Sequence, residues 1–177
     1  FLALSALVAW TIGPTTSASA VLCILAAGAH TARLAGWAGE RTVAEPLVMV
    51  LHAGYAFVPL GFLLAGIHAA APAWIGISAA VHAWSAGMVG VMTLAIMTRA
   101  SLGHTGRPLT ATRPIQAIYA AALVAACARV AAASGLHYDE LLWLAATGWV
   151  TAFGGFAIVF GPMLLARRRP TVPLPKA

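Results

Sequence analysis

Residues 74–99 read WIGISAAVHAWSAGMVGVMTLAIMTR, and His82 is the single ionisable side chain between Trp74 and Arg99. About 20 apolar residues at a rise of about 1.5 Å each cross a bilayer, so this run predicts a transmembrane helix. An imidazole about eight residues into such a span is costly in lipid unless it meets a partner, a metal or a water-filled cavity. His82 is therefore the first candidate for a functional role.

The rest of the chain has the same character. Hydrophobic residues make up 62% of the 177 and charged residues 8%, with a mean hydropathy of +0.91. That composition excludes an ordinary soluble domain and predicts an all-α, polytopic transmembrane helical bundle in one domain, residues 1–177. Turn residues and charges divide it. A truncated span covers residues 1–12 and closes at Gly13-Pro14. Full spans follow over 17–36, 46–70, 74–99, 114–134 and 139–166, giving five full spans plus the truncated first. The opening stretch, FLALSALVAWTIGPTTSASA, has an apolar core like a signal peptide but no basic leading region. It reads better as the end of an earlier helix, so the chain is expected to be the C-terminal part of a longer protein, with further N-terminal spans as partners in the bundle.

The net charge of +6 does not point to nucleic acid, because the basic residues are not gathered on one amphipathic face. Arg33 and Arg41 flank the second connection, Arg99, Arg107 and Arg113 the fourth, and Arg167, Arg168, Arg169 and Lys176 follow the last span. The first, third and fifth connections carry no Lys or Arg. This alternation predicts a multi-pass protein with its C-terminus, residues 167–177, as a cytoplasmic tail. Ala83/Gly87, Ala86/Gly90 and Gly148/Ala152 recur at four-residue spacing and predict close helix packing.

Chemistry within the spans has few carriers. All four acids, Glu40, Glu45, Asp139 and Glu140, lie at connections or span ends, so a carboxylate relay has no support. Cys23 and Cys127 both lie in apolar runs and read as buried free thiols. His30 and His52 fall about 9 Å in from the basic side on neighbouring helices, at about 1.5 Å per residue. That placement suits axial ligation of a haem or a shared metal, and equally suits hydrogen bonding to backbone carbonyls. His82 is expected in the opposite half, on a helical face with Ser85, Val89 and Thr93. His52 and His82 are then separated by about 10 Å of depth, too far to hold one ion together. Arg129 in the fifth span either snorkels to the interface or binds an anionic group such as a haem propionate, whose carboxylate its fork matches. His104 falls in the Gly-rich fourth connection, as a solvated turn residue or as a cap over a cofactor. His68 and His137 read as interfacial. Met88, Met92 and Met97 read as packing rather than copper ligands.

Two stretches carry a family resemblance. RLAGWAGERTVAEPLVMVLHAGYAFVPLGFLLAG from Arg33, and HAWSAGMVGVMTLAIMTRASLGHTGRPL from His82, resemble the NnrS family of bacterial membrane proteins. The first follows the family's RLxGW…EPLxxxLHxGYxWxxxG pattern, with Phe57 at its Trp position. The second follows HAxxxGxxGxMTLAVMTRxxLGHTGRxL. The resemblance implies haem and copper as cofactors and a role in the nitric oxide response, in denitrification and in resistance to nitrosative stress. Nitric oxide or an iron-nitrosyl species would then be a partner. Within those motifs stand His52, Gly54, Tyr55, His82, Gly87, Gly90, Thr93, Arg99, Gly103, His104, Gly106 and Arg107. On this reading His52 and His82 are metal ligands, with His30, His104 and Arg129 as further cofactor contacts. A transporter with a His-lined path, or a structural membrane subunit, are the alternatives, and no nucleophile–base pair marks the chain as an enzyme.

Overall fold

The computed structural model describes residues 1–165. The basic cluster Arg167–Arg169, Lys176 and the tail expected at 167–177 lie outside the described residues. Six helices follow in order: α1 (Leu2–Ile12), α2 (Ser17–Gly36), α3 (Pro46–Ala70), α4 (Ile77–His104), α5 (Arg113–Ala133) and α6 (Tyr138–Leu165). A short 3-10 turn, Gly39–Thr42, lies between α2 and α3, and no strand occurs among the described residues. Helices α2 to α6, of 20 to 28 residues, are long and apolar enough to cross a membrane, whereas α1 has 11 residues. Lipid offers the backbone no hydrogen-bonding partner, so each apolar run closes its own backbone bonds as helix.

Five of the six predicted spans match the observed helices to within about a residue or two, the usual latitude of a helix end. The fourth differs. It starts at Ile77, because Trp74 and Ile75 belong to the turn after Ala71, where the Trp74 amide donates to the Ala71 carbonyl at 3.0 Å. It then runs past Arg99 to His104, five residues beyond the expected end. Gly106 sets that end. It adopts φ +67°, its amide donates to the Gly103 carbonyl at 3.1 Å, and the next amide, of Arg107, reaches back to Leu102 at 2.9 Å. This paired closure round a left-handed glycine is a Schellman motif. It recurs at the end of α5, where Gly135 has φ +87° and Leu136 donates to Ala131 at 3.2 Å. His104 is therefore the last residue of a helix, not part of a loop.

Other ends follow sequence chemistry as well. The Thr16 hydroxyl caps α2 by accepting from the Ser19 amide, and Ser19 Oγ donates to the Gly13 carbonyl at 2.6 Å, tying the α1–α2 hairpin together. Pro46 and Pro114 occupy first-turn positions of α3 and α5, where no backbone donor is missed. Asp139 and Glu140 sit in the first turn of α6, on the side its dipole favours.

Helices adjacent in sequence pack as antiparallel hairpins, most extensively α5 with α6, followed by α3 with α4 and α2 with α3. One buried cluster joins Leu47 and Val50 of α3, Leu94 and Leu102 of α4, Ile115 and Ile118 of α5, and Phe156 and Phe160 of α6. A second joins Ala6 of α1 and Cys23 and Ala26 of α2 to Phe62 and Ala65 of α3 and Ala80 of α4. The third connection lies against the end of α5, since a Cβ at Gly76 would meet the Ala133 carbonyl at 3.8 Å. The second and fourth connections thus share the arginine-bearing end of the bundle, called the basic end below.

The small residues do not all act as expected. Gly148 does admit a backbone: a Cβ there would come within 3.1 Å of the Ala121 carbonyl oxygen and 3.3 Å of Ala125 Cα. Gly87 and Gly90 instead admit aromatic rings, Phe57 of α3 and Trp149 of α6 respectively. Cys23 is buried, while Cys127 is exposed on the outside of α5, so only the first of the two thiols is an interior residue.

Candidate functional site

In α4 the nine residues directly after His82, Ala83–Val91, wind as a π-helix between α-helical ends. Such winding widens the turn and changes which residues share a face, and short π segments are frequent at functional sites. The α-helical face expected through His82, Ser85, Val89 and Thr93 is lost for that reason. His82, Ser85 and Ala86 line a cavity of about 360 Å³, while Val89 is 53% exposed and Thr93 is also exposed, neither of them on the cavity wall.

The opposite walls come from α5 and α6. Arg129 contributes the second ionisable group, and Leu142, Ala145, Ala146 and Trp149 form an apolar side. Gly90 and Trp149 are linked causes here, because the indole occupies the space a Cβ at Gly90 would fill. The Ser85 hydroxyl is committed to the Val81 carbonyl at 2.7 Å, so it offers lone pairs but not its proton to a ligand. The buried Nη1 of Arg129 has no hydrogen-bond partner among the described residues. A guanidinium nitrogen left in that state costs about 1–3 kcal/mol or more, since it is charged. The cavity therefore presents an imidazole and an uncompensated cation beside an apolar wall. Its complement is an anionic head on an apolar body.

The other imidazoles have different surroundings. Three of the six histidines engage Nδ1: His30 with the Tyr55 hydroxyl at 2.7 Å, His52 with the Val48 carbonyl at 3.1 Å, and His68 with the Ile75 carbonyl at 2.8 Å. A carbonyl only accepts, so His52 carries its proton on Nδ1 and leaves Nε2 with a free lone pair. That is the tautomer of a metal-ready imidazole held by its second nitrogen. His52 also stands edge-on to Trp37, with ring centroids 5.8 Å apart.

His30 and His52 do not form a facing pair. Trp37 and Tyr55 stand between them, Tyr55 at 4.5 Å from Trp37 and 5.8 Å from His30 between centroids. His30 stacks on Phe62, 5.6 Å apart and within 5° of parallel. His104 is exposed at the basic end, and His137 is exposed in the last turn with φ +32°.

No group of three or more His, Cys, Asp or Glu side chains able to hold a metal ion occurs among the described residues. His52 stands beside Trp37 near the start of α3, whereas His82 lines the cavity with Arg129. The structure thus brings together His82 and Arg129, and leaves His30, His52 and His104 in three separate settings. Ser85 and Trp149 complete the cavity and were not singled out as a pair from sequence. Trp149 carries no signal of its own in a chain with six tryptophans; its register against Gly90 is a tertiary property.

The residues present fit one edge of a haem: a nitrogen donor, a free guanidinium for a propionate and an apolar wall for the ring. Among the described residues they gather no group of three or more such donors for copper. No curated protein and no solved structure matches the chain. A model of the NnrS protein family matches residues 1–168, nearly its whole length, and the chain belongs to that family.

Proposed function

We propose that the protein is a haem-binding component of the nitric oxide response in the bacterial inner membrane, with its C-terminus in the cytoplasm. The family supports the setting. The observation that carries the cofactor is the cavity between α4, α5 and α6, which His82 lines together with Arg129, whose buried Nη1 is unpartnered among the described residues.

Within that cavity His82 would hold the haem iron through a ring nitrogen, and Arg129 would bind a propionate through its fork. Leu142, Ala145, Ala146 and Trp149 would exclude water from one face of the ring. Bound haem supplies an iron centre able to take nitric oxide as a ligand, and the polarity of the pocket decides between binding and turnover. His52 is the second proposed donor, at the basic end, with its Nδ1 donating to the Val48 carbonyl and the Nε2 lone pair left for a ligand. Copper rests on the family alone, and donors beyond the described residues would be needed to hold it. Protection against nitrosative stress follows if the iron removes or sequesters nitric oxide before it reaches other membrane proteins.

The test is an absorption spectrum with metal analysis of the intact protein, repeated for single substitutions. A Soret band that disappears in His82→Ala and weakens in Arg129→Met, with His104→Ala unchanged, is the expected result. Intact protein with no Soret band and no copper would remove the proposal.

A further inference from the structure

Aromatic rings form an unbroken path along the inside of α1 to α4, separate from the His82–Arg129 cavity. Trp37, at the end of α2 and 46% exposed, lies 4.5 Å from Tyr55 between centroids. Tyr55 leads to His30 at 5.8 Å, and His30 to Phe62 at 5.6 Å. Phe62 meets Trp84 at 5.2 Å, and Trp84 meets Trp10 of α1 at 5.5 Å. Every step lies in the range of direct ring contact. Trp37 stands at the basic end and Trp10 within the last turn of α1, towards the opposite end. The path therefore covers most of the depth of α2, whose 20 residues span about 30 Å.

Its midpoint differs chemically from its other members. A tyrosine that loses an electron must also lose its phenolic proton, and the Tyr55 hydroxyl oxygen lies 2.7 Å from His30 Nδ1, which accepts that proton in the tautomer protonated on Nε2. The two inner indoles, Trp84 and Trp10, have no such outlet. Trp84 Nε1 donates to the Val58 carbonyl at 3.3 Å, which is no base, and the buried Trp10 Nε1 has no partner among the described residues. The buried hydroxyl of Tyr119 is likewise unpartnered. An electron vacancy introduced anywhere on the path would settle where its proton can leave.

We infer that Tyr55 and His30 form a proton-coupled redox pair, reached from the basic end through Trp37. A one-electron oxidant, such as the nitrogen dioxide radical, takes one electron by way of Trp37 and departs reduced, in that case as nitrite. The electron is drawn from Tyr55, whose O–H bond breaks as the proton passes to His30 Nδ1. The products are a neutral tyrosyl radical and an imidazolium. A one-electron reductant such as ascorbate, which departs as its own radical, returns the electron and re-forms the phenol as the proton comes back from His30. The inference does not depend on haem at the cavity.

The experiment uses the intact protein in detergent with a photogenerated ruthenium(III) polypyridyl complex as the water-soluble oxidant. Tyr138, exposed at the opposite end, is replaced by Phe throughout so that it cannot respond directly. Electron paramagnetic resonance and transient absorption should then show a tyrosyl radical that is absent in Tyr55→Phe. His30→Gln retains a hydrogen-bond acceptor but no base, and should slow radical formation about a hundredfold, the lower end of what a positioned base contributes. Free imidazole added to His30→Ala should restore part of the rate, which a folding defect would not allow. Trp37→Phe should slow the reaction with the tyrosyl yield at long times retained. An equal radical signal in Tyr55→Phe, or radical formation in His30→Gln as fast as in the parent, would overturn the inference.

Discussion

Arg129 sits among alanines of α5 with a guanidinium nitrogen buried and unpartnered, so it is costly to the fold and valuable only to a ligand. Replacing it by the similarly long but uncharged Met removes an uncompensated donor whose desolvation costs about 1–3 kcal/mol. Thermal unfolding of apoprotein Arg129→Met, followed by circular dichroism in detergent, should match or exceed the parent, while haem content per protein falls. Arg129→Lys should retain haem poorly as well, because an ammonium cannot make the paired contact of the fork. The glycines give a complementary comparison. Gly87→Ala drives a methyl group into the Phe57 ring and should destabilise by about 1–3 kcal/mol, as overpacked sites do. Gly103→Ala meets no neighbouring heavy atom within 4 Å and should stabilise by about 0.5–1 kcal/mol, read from the same melts. Sequence alone ranked these two positions together, since both are motif glycines; only the neighbour across the interface separates them.

At the level of elements, α4 holds the largest departure from expectation. Hydropathy located the span, but Arg99 was read as its end, whereas a long arginine near a membrane boundary can stay helical and extend its charge outward. The true stop, Gly106 in the left-handed region, lies in the HTGR stretch and is recognisable as a helix-closing signal. Gly106→Ala should cost about 1–2 kcal/mol through the left-handed backbone, and Gly106→Asn less, with both measured by thermal unfolding. The π winding over Ala83–Val91 had no such mark, because it depends on where α4 meets Phe57 and Trp149. Deleting the outward-facing Val89 should return the segment towards α-helix and turn His82 relative to the rest of α4. The expected outcome is helicity close to the parent by circular dichroism with the Soret band lost or shifted. An unchanged spectrum would mean that the π segment does not aim His82.

For the whole molecule, the alternation of arginines between connections is the strongest long-range signal. Alkaline phosphatase fused at the C-terminus should be inactive and a green fluorescent protein fused there should fluoresce, while phosphatase inserted at Gly135 should be active. The reverse pattern would invert the assignment of the His82 cavity to the outer half. Such a test bears on function, because it decides from which side a charged reactant meets Trp37 and from which side the cavity.

Span number, the limits of every span but the fourth and the ends that carry arginine were legible in the chain by itself. They depend on hydropathy and on the need of each backbone to close its own hydrogen bonds in lipid, and both are local properties. His82 and Arg129 were also visible as isolated anomalies, because an ionisable group in an apolar run stands out without any partner in view. Their meeting in one cavity, the insertion of Trp37 and Tyr55 between His52 and His30, and the π winding that turns Val89 away were decided only in three dimensions. These spans are apolar on nearly every face, so no amphipathic stripe records which side of a helix meets which neighbour. Shape does that instead: a glycine opposite an indole or a phenyl ring sets the register, and the register then places the polar groups.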